Sequence, residues 1–193
     1  MKLLLIDMFK HNYKIKNIER YKATLVAKGF TQQEGIDYHN TFSPVLKKDS
    51  FQIIMALVAH FDVELHQMDV KTTFLNGDLE KEVYMKQLEG FITNGNDNII
   101  CKLKKSIFGP KQASHQWYLK FHDVISSFNF METVMDQCIY HKVSGSKIIF
   151  LVLYVDDILL ASNYLGLLHE VKGFLSQQFD MKDIGAASYV ICI

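Results

Sequence analysis

The sequence predicts an α+β fold, a mainly antiparallel sheet with helices on one face, and three observations carry that reading. Lys147 to Ser162 reads KIIFLVLYVDDILLAS, two apolar, β-branched runs of strand length split by Asp156-Asp157, the pattern of a tight hairpin. Three segments have helical apolar spacing: Ile53, Ile54, Leu57, Val58 and Phe61; Trp117, Phe121, Val124, Ile125 and Phe128; and Leu167, Leu168, Val171, Phe174 and Leu175. These helices alternate with strand-like runs, and no repeat, low-complexity tract or Pro/Gly-rich linker divides them, so residues 1–193 read as one folding unit.

In chain order, Tyr13 to Ala27 alternates polar and apolar residues on both sides of Asn17, as a two-stranded arm with one wet face would. Lys14, Lys16, Arg20, Lys22 and Lys28 decorate it, as ligand contacts or as the charges that protect an edge strand. Gly29 to Lys47 reads as irregular, and Asp49-Ser50 as the cap of the first helix. The strand Val63 to Val70 follows directly, with Val63, Leu65, Gln67 and Asp69 on one face. Lys71 to Gly77 is a turn, Glu82 to Met85 a short strand and Thr93 to Asn98 an exposed loop. After Gly109-Pro110, Gln112 stands at the start of the second helix, where free N–H groups and the dipole favour a phosphate, although a polar N-terminal residue needs no ligand. Gln137 to Val143 and Lys147 to Val155 flank Ser144-Gly145-Ser146, so one hairpin feeds into the next.

Three cysteines, Cys101, Cys138 and Cys192, with no CxxC pair, indicate neither a disulfide framework nor a zinc site and suit a reducing, intracellular setting. The apolar run near Met1 stops at Asp7, too short for a signal peptide, and no run reaches membrane-spanning length. Net charge is zero, but it is segregated: nine Lys/Arg against four Asp/Glu over residues 1–48 and five against none over 98–120, with acidic segments between and after. Basic blocks of this kind can face a phosphate backbone while acidic ones hold cations.

The Asp156-Asp157 pair is poor hairpin-turn chemistry, because the favoured turns place glycine where φ is positive. Two like charges side by side call for a cation, so the pair reads either as a metal site at a hairpin tip or as a solvated acidic turn. Asp69, an acid from a second strand end, supplies the partner that two-metal phosphoryl transfer requires, with ions ~3.5–4 Å apart and oxygen ligands that suit magnesium or manganese. Several palm-type folds, nucleotide cyclases included, can build such a site.

The stretches QMDVKTTFLNGDLEKEVYM, LKKSIFGPKQASHQWYLKF, LVLYVDDILLAS and, upstream, ERYKATLVAKGFTQQEGIDYHNTFSPVLK resemble the reverse transcriptase of copia-type LTR retrotransposon Pol polyproteins, from about Tyr13 to the C-terminus. The resemblance implies a polymerase palm with an N-terminal fingers-like arm: residues 13–48 and 98–120 fingers-like or pocket-forming, 49–97 and 121–193 palm. It implies an RNA- and DNA-templated DNA polymerase, cytoplasmic or nuclear, with a template–primer, deoxynucleoside triphosphates and the other Pol segments as partners and no membrane. By the same resemblance Asp69, Asp156 and Asp157 are the catalytic, metal-holding acids and Phe74 the sugar-sensing aromatic. Gln112 is the nucleotide-pocket glutamine, Lys22 and Lys28 meet triphosphate or template, and Tyr154 precedes the acid pair.

The family's usual KARLVAKG, IYGLKQA and LGI are altered here: Thr24 stands for Arg, Phe108 for Tyr, Pro110 for Leu, His115 for a second Arg, and Ile191-Cys192-Ile193 for LGI. Two lost positive charges should weaken triphosphate binding, and Pro110 biases Gly109 away from the helical region. With no thumb or ribonuclease H expected within 193 residues, and MKLLLIDMFK expected to lie outside the match, the chain reads as a polymerase fragment, weak or inactive alone, or as a non-catalytic relic that retains nucleic-acid binding.

Overall fold

The computed structural model describes residues 3–10, 21–79, 81–86 and 100–187, with backbone alone for 3–10 and 21–25. Its elements are β1 (Leu3–Lys10), β2 (Tyr21–Ala27), α1 (Lys48–Phe61), β3 (Glu64–Val70), β4 (Tyr84–Lys86), β5 (Ile100–Lys102), α2 (Ala113–Ser127), β6 (Met131–Glu132), β7 (Ile139–Ser144), β8 (Lys147–Tyr154), β9 (Asp157–Ser162), α3 (Leu165–Gln178) and β10 (Met181–Ala186). Six strands form one antiparallel sheet in the order β10-β3-β9-β8-β7-β6, while β1-β2 and β4-β5 form separate two-stranded sheets.

The expected helix placement needs correction. Met68 and Val70 of β3, Ile149, Leu151 and Leu153 of β8, and Ile158 and Leu160 of β9 pack in one core with α2 and α3. The alternate residues Leu65, Phe150, Val152 and Leu159 pack with Ile54 and its neighbours from α1. Side chains alternate across a strand, so α1 covers the opposite face. The cause is legible in β8 and β9 themselves: a continuous apolar run needs cover on both faces, whereas a half-wet strand alternates.

The N-terminal arm also differs from expectation. The strand that pairs with β2 is β1, residues Leu3 to Lys10, with Lys22 opposite Phe9 and Thr24 opposite Ile6. The expected first strand after Tyr13 falls outside the described residues, as do the Thr93 to Asn98 loop and Cys192. Helix α1 starts at Lys48, ahead of the expected Asp49-Ser50 cap, and the Lys47 N–H donates to Asp136 Oδ2 at 2.9 Å. The edge strand β10 is tied down by Lys172, buried on α3, whose Nζ lies 2.6 Å from Asp183 Oδ2 and 3.1 Å from His66 Nδ1 on β3. Burial, then the Lys172 charge, hold His66 below the usual imidazole range, so it accepts from Lys172 as a neutral ring.

Candidate active site

Register brings the acids together. Asp69 is the cross-strand partner of Asp157, and Asp157 in turn pairs with Tyr154 across the two-residue turn Val155-Asp156. Directly paired residues project to the same face, so Asp69 and Asp157 stand side by side at the end of the sheet, on the face that α1 covers further down. The Asp157 carboxylate accepts from Gln67 Nε2 at 2.9 Å, a buried amide two residues before Asp69 on the same face. Asp156 is exposed at the tip, and its carbonyl accepts the Val70 N–H at 2.8 Å. On the far side of Asp69 the register position is taken by Lys182 of β10, a cation beside the acids that periodicity alone does not reveal.

The turn is conformationally unusual. Val155 has φ 54°, a left-handed backbone that β-branched residues avoid. Its carbonyl is held by Trp117 Nε1 at 3.0 Å, so α2 and β3 both fasten the turn from outside.

Phe74 leaves β3 on a single 3₁₀ turn, Thr73–Asn76, which Thr73 anchors by donating its buried hydroxyl to the Val70 carbonyl at 3.0 Å. The half-buried Phe74 ring meets Phe108 edge-to-face at 5.0 Å and packs on the core under α2. With Tyr154 and Val155 it also lines a cavity of about 420 Å³, whose wall includes Phe42, Pro44 and Trp117. Tyr118 and Cys138 complete its wall, and burial pushes both up to about 12, so they stay neutral. The charge of this region is concentrated at the aspartates, and the cavity beside them is apolar.

Gln112 precedes α2 as expected but is only 7% exposed and does not line that cavity, whose wall includes Ser114 two residues further on. The end of β2 lies against the segment before α2: the Ala27 N–H donates to the Phe108 carbonyl at 2.7 Å, and a Cβ on Gly109 would meet the Ala27 carbonyl oxygen at 1.9 Å. Gly109 has φ 106°, outside the helical region, as Pro110 behind it favours. Lys28 is half-buried at the start of the 3₁₀ turn Gly29–Thr31 beside this contact, and the Lys22 side chain lies outside the described residues. His115 is part-buried, and its Nδ1 has no hydrogen-bond partner.

The antiparallel sheet thus brings two carboxylates to one strand end, beside an apolar cavity. The family model described as reverse transcriptase (RNA-dependent DNA polymerase) matches residues 6–193, and the chain belongs to that family. Within it the relatives are of copia type. The chain is 49% identical over 173 residues to the retrovirus-related Pol polyprotein from transposon TNT 1-94 of Nicotiana tabacum, an alignment covering 89% of this chain and 13% of that one. It is 39% identical over 177 residues to the corresponding polyprotein of transposon RE1 of Arabidopsis thaliana, covering 92% of this chain and 12% of that one. The transposon Ty1-H Gag-Pol polyprotein of Saccharomyces cerevisiae is 27% identical over 175 residues, covering 85% and 9%. No solved structure matches significantly. The match reaches back to residue 6, so half of the opening stretch MKLLLIDMFK, expected to fall outside the family, lies within it. Among the described residues, no helix is long and apolar enough to cross a membrane.

Proposed function

We propose that the chain carries the nucleotidyl-transfer centre of an RNA- and DNA-templated DNA polymerase, with Asp69, Asp156 and Asp157 as the residues that hold divalent cations, magnesium or manganese. The observation that supports this most directly is the register pairing of Asp69 with Asp157 beside the Tyr154 to Asp157 turn. All three donors are hard carboxylate oxygens, and two of them stand on rigid strand ends, which suits such an ion. Among the described residues no three His, Cys, Asp or Glu form a ready-made cage. Magnesium rarely uses one, since it keeps several waters and takes part of its shell from substrate phosphates. Ions bound there would make a primer hydroxyl more acidic and neutralise the triphosphate.

The chain's own residues do the positioning. Gln67 fixes the Asp157 carboxylate, Phe74 forms the wall beneath the sugar, and Tyr154 supports the terminal base pair. Gln112, Lys22 and Lys28 meet the nucleotide or template from residues 13–48 and 98–120, the fingers-like part, while 49–97 and 121–193 form the palm. The chain spans 12 to 13% of the tobacco and RE1 polyproteins. Thr24 and His115 stand where the family carries arginines, so the 193 residues should bind triphosphate and extend primers weakly.

Incorporation of dTTP on poly(rA)–oligo(dT) with magnesium or manganese tests this reading. Weak synthesis is expected, falling about a thousandfold, or to background, in Asp69→Asn and Asp156→Asn. Wild-type incorporation no higher than that of Asp69→Asn would favour a non-catalytic relic with residual nucleic-acid binding. Phe74→Val should relax sugar choice, because a rigid ring rejects a 2′-hydroxyl by clash rather than by a lost attraction. Ribonucleotide use relative to deoxyribonucleotide should rise on the order of tenfold. An unchanged ratio with activity retained would leave Phe74 as a core anchor.

A further inference from the structure

Two glutamines 80 residues apart form a buried amide pair: Gln32 Nε2 donates to Gln112 Oε1 at 3.1 Å, and Gln32 Oε1 accepts from the Lys111 backbone N–H at 2.9 Å. Their exposures are 9% and 7%, so neither amide can exchange these bonds freely for water. The backbone N–H is the key to the pair, because it can only donate. It therefore fixes the carbonyl end of the Gln32 amide toward Lys111 and the NH₂ end toward Gln112. Gln112 must then offer its carbonyl to Gln32 and turn its own NH₂ the other way. The polarity of both amides follows from a single main-chain donor.

We infer that Gln32 is a positioning residue for nucleotide binding: it locks the Gln112 amide so that its NH₂ donates to an oxygen acceptor of the incoming nucleotide. The inference rests on the nucleotide-pocket reading of Gln112 and adds what orients it. The surrounding backbone makes the lock rigid. Residues 29 and 109 are in such close contact that a Cβ on Gly29 would meet the Gly109 carbonyl oxygen at 1.9 Å, and Val26 bridges Phe108 in parallel. Gln32 follows that contact by three residues and Gln112 follows it by three, so both amides leave a fixed junction. With Gly109-Pro110 setting the path into α2 and no side-chain cap at its start, the Gln32 amide supplies the side-chain restraint on Gln112.

The polarity argument gives variants with distinct outcomes. Gln32→Met keeps the shape and removes both hydrogen bonds, freeing the Gln112 amide to rotate. Gln32→Glu offers two acceptors, so it keeps the Lys111 bond and draws the Gln112 NH₂ inward, presenting a carbonyl to the nucleotide instead of a donor. The probe is dTTP binding to the 193-residue chain on poly(rA)–oligo(dT) ending in a dideoxynucleotide, so that no bond forms. Gln32→Met should weaken binding about fivefold to tenfold, Gln32→Glu at least as much, and Gln32→Met should change it less than about twofold when Gln112 is already Ala. Thermal denaturation identifies any variant that has lost its fold, and side-chain amide NMR of the free chain reads the pair directly, since Gln32→Met should move the Gln112 NH₂ signals. Unmoved signals, or nucleotide affinity within about twofold of wild type for Gln32→Met while Gln112→Ala weakens it, would overturn the positioning role. Unchanged affinity in Gln112→Ala would instead overturn the nucleotide reading of Gln112 and take this inference with it.

Discussion

Strand β8 ends in a two-residue turn on each side, and the two turns share a left-handed first residue but differ in chemistry. Gly145-Ser146 joins β7 to β8 with φ 62° at Gly145, and Val155-Asp156 joins β8 to β9 with φ 54° at Val155. In each, the first central residue alone is left-handed, the position that a type II′ hairpin turn assigns to glycine. The first turn is unstrained: its glycine adopts the conformation freely, a Cβ there would meet nothing within 4 Å, and Asn163 Nδ2 fastens the Ser146 carbonyl at 2.9 Å. The second is not. A β-branched residue in that region costs on the order of 1–3 kcal/mol and persists only where its surroundings over-determine it. Those surroundings are the Trp117 indole on the Val155 carbonyl and the Val70 N–H on the Asp156 carbonyl. A turn imposed by its neighbours in this way delivers Asp156 and Asp157 to one fixed place relative to Asp69.

The largest expected effect comes from cutting the outside support. Trp117→Phe removes the donor to Val155 and part of a buried ring that meets Phe121 at 5.5 Å and Phe179 at 5.2 Å. It should cost about 2–3 kcal/mol in urea denaturation, from a lost hydrogen bond and a cavity together. A loss well under ~1 kcal/mol would mean that the turn keeps its shape without α2. Next in size is Gly145→Val, which places the residue of the strained turn in the relaxed one. Asn163 Nδ2 donates to the Ser146 carbonyl at 2.9 Å, but it does not hold the Gly145 carbonyl as Trp117 holds that of Val155, so the substitution should cost about 1–2 kcal/mol. Equal tolerance of Val at the two turns would erase the difference between them.

Sequence reading reached much of this, and what it missed has physical causes. The hairpin was legible because two strand-length apolar runs bracket it, but its turn lies at Val155-Asp156, one residue before the Asp156-Asp157 break expected, and Asp157 already belongs to β9. The pairing of Asp69 with Asp157 was not legible, since register between residues 88 apart in the chain depends on the whole sheet. The helix faces were misassigned because continuous hydrophobicity in β8 and β9 signals cover on both sides without saying which helix supplies it. β1 was overlooked because the alternation was assigned to residues after Tyr13, although LLLIDMFK pairs with β2. Gln32 stood in a segment read as irregular, and only the approach of Gly29 to Gly109 brings it to Gln112.

The smallest effect on stability, and the sharpest separation of the two hairpins, is expected from Val155→Gly. Two opposing contributions decide it. Relief of the left-handed strain should stabilise the fold by about 1–2 kcal/mol, while the freer backbone of the unfolded chain takes back roughly 0.5–1 kcal/mol. Val155 is 52% exposed, so its side chain gives up little burial on removal. The net is a gain of no more than about 1 kcal/mol, opposite in sign to Gly145→Val at the same turn position. Activity should move the other way: a glycine turn no longer needs Trp117 and Val70 to define it, so Asp156 samples more positions and primer extension falls while the melting temperature holds or rises. Parallel melting and dTTP-incorporation measurements on Val155→Gly decide the matter. A clear drop in melting temperature would show that Val155 is unstrained in its setting, and unchanged incorporation would show that the stored strain has no part in aiming the carboxylates.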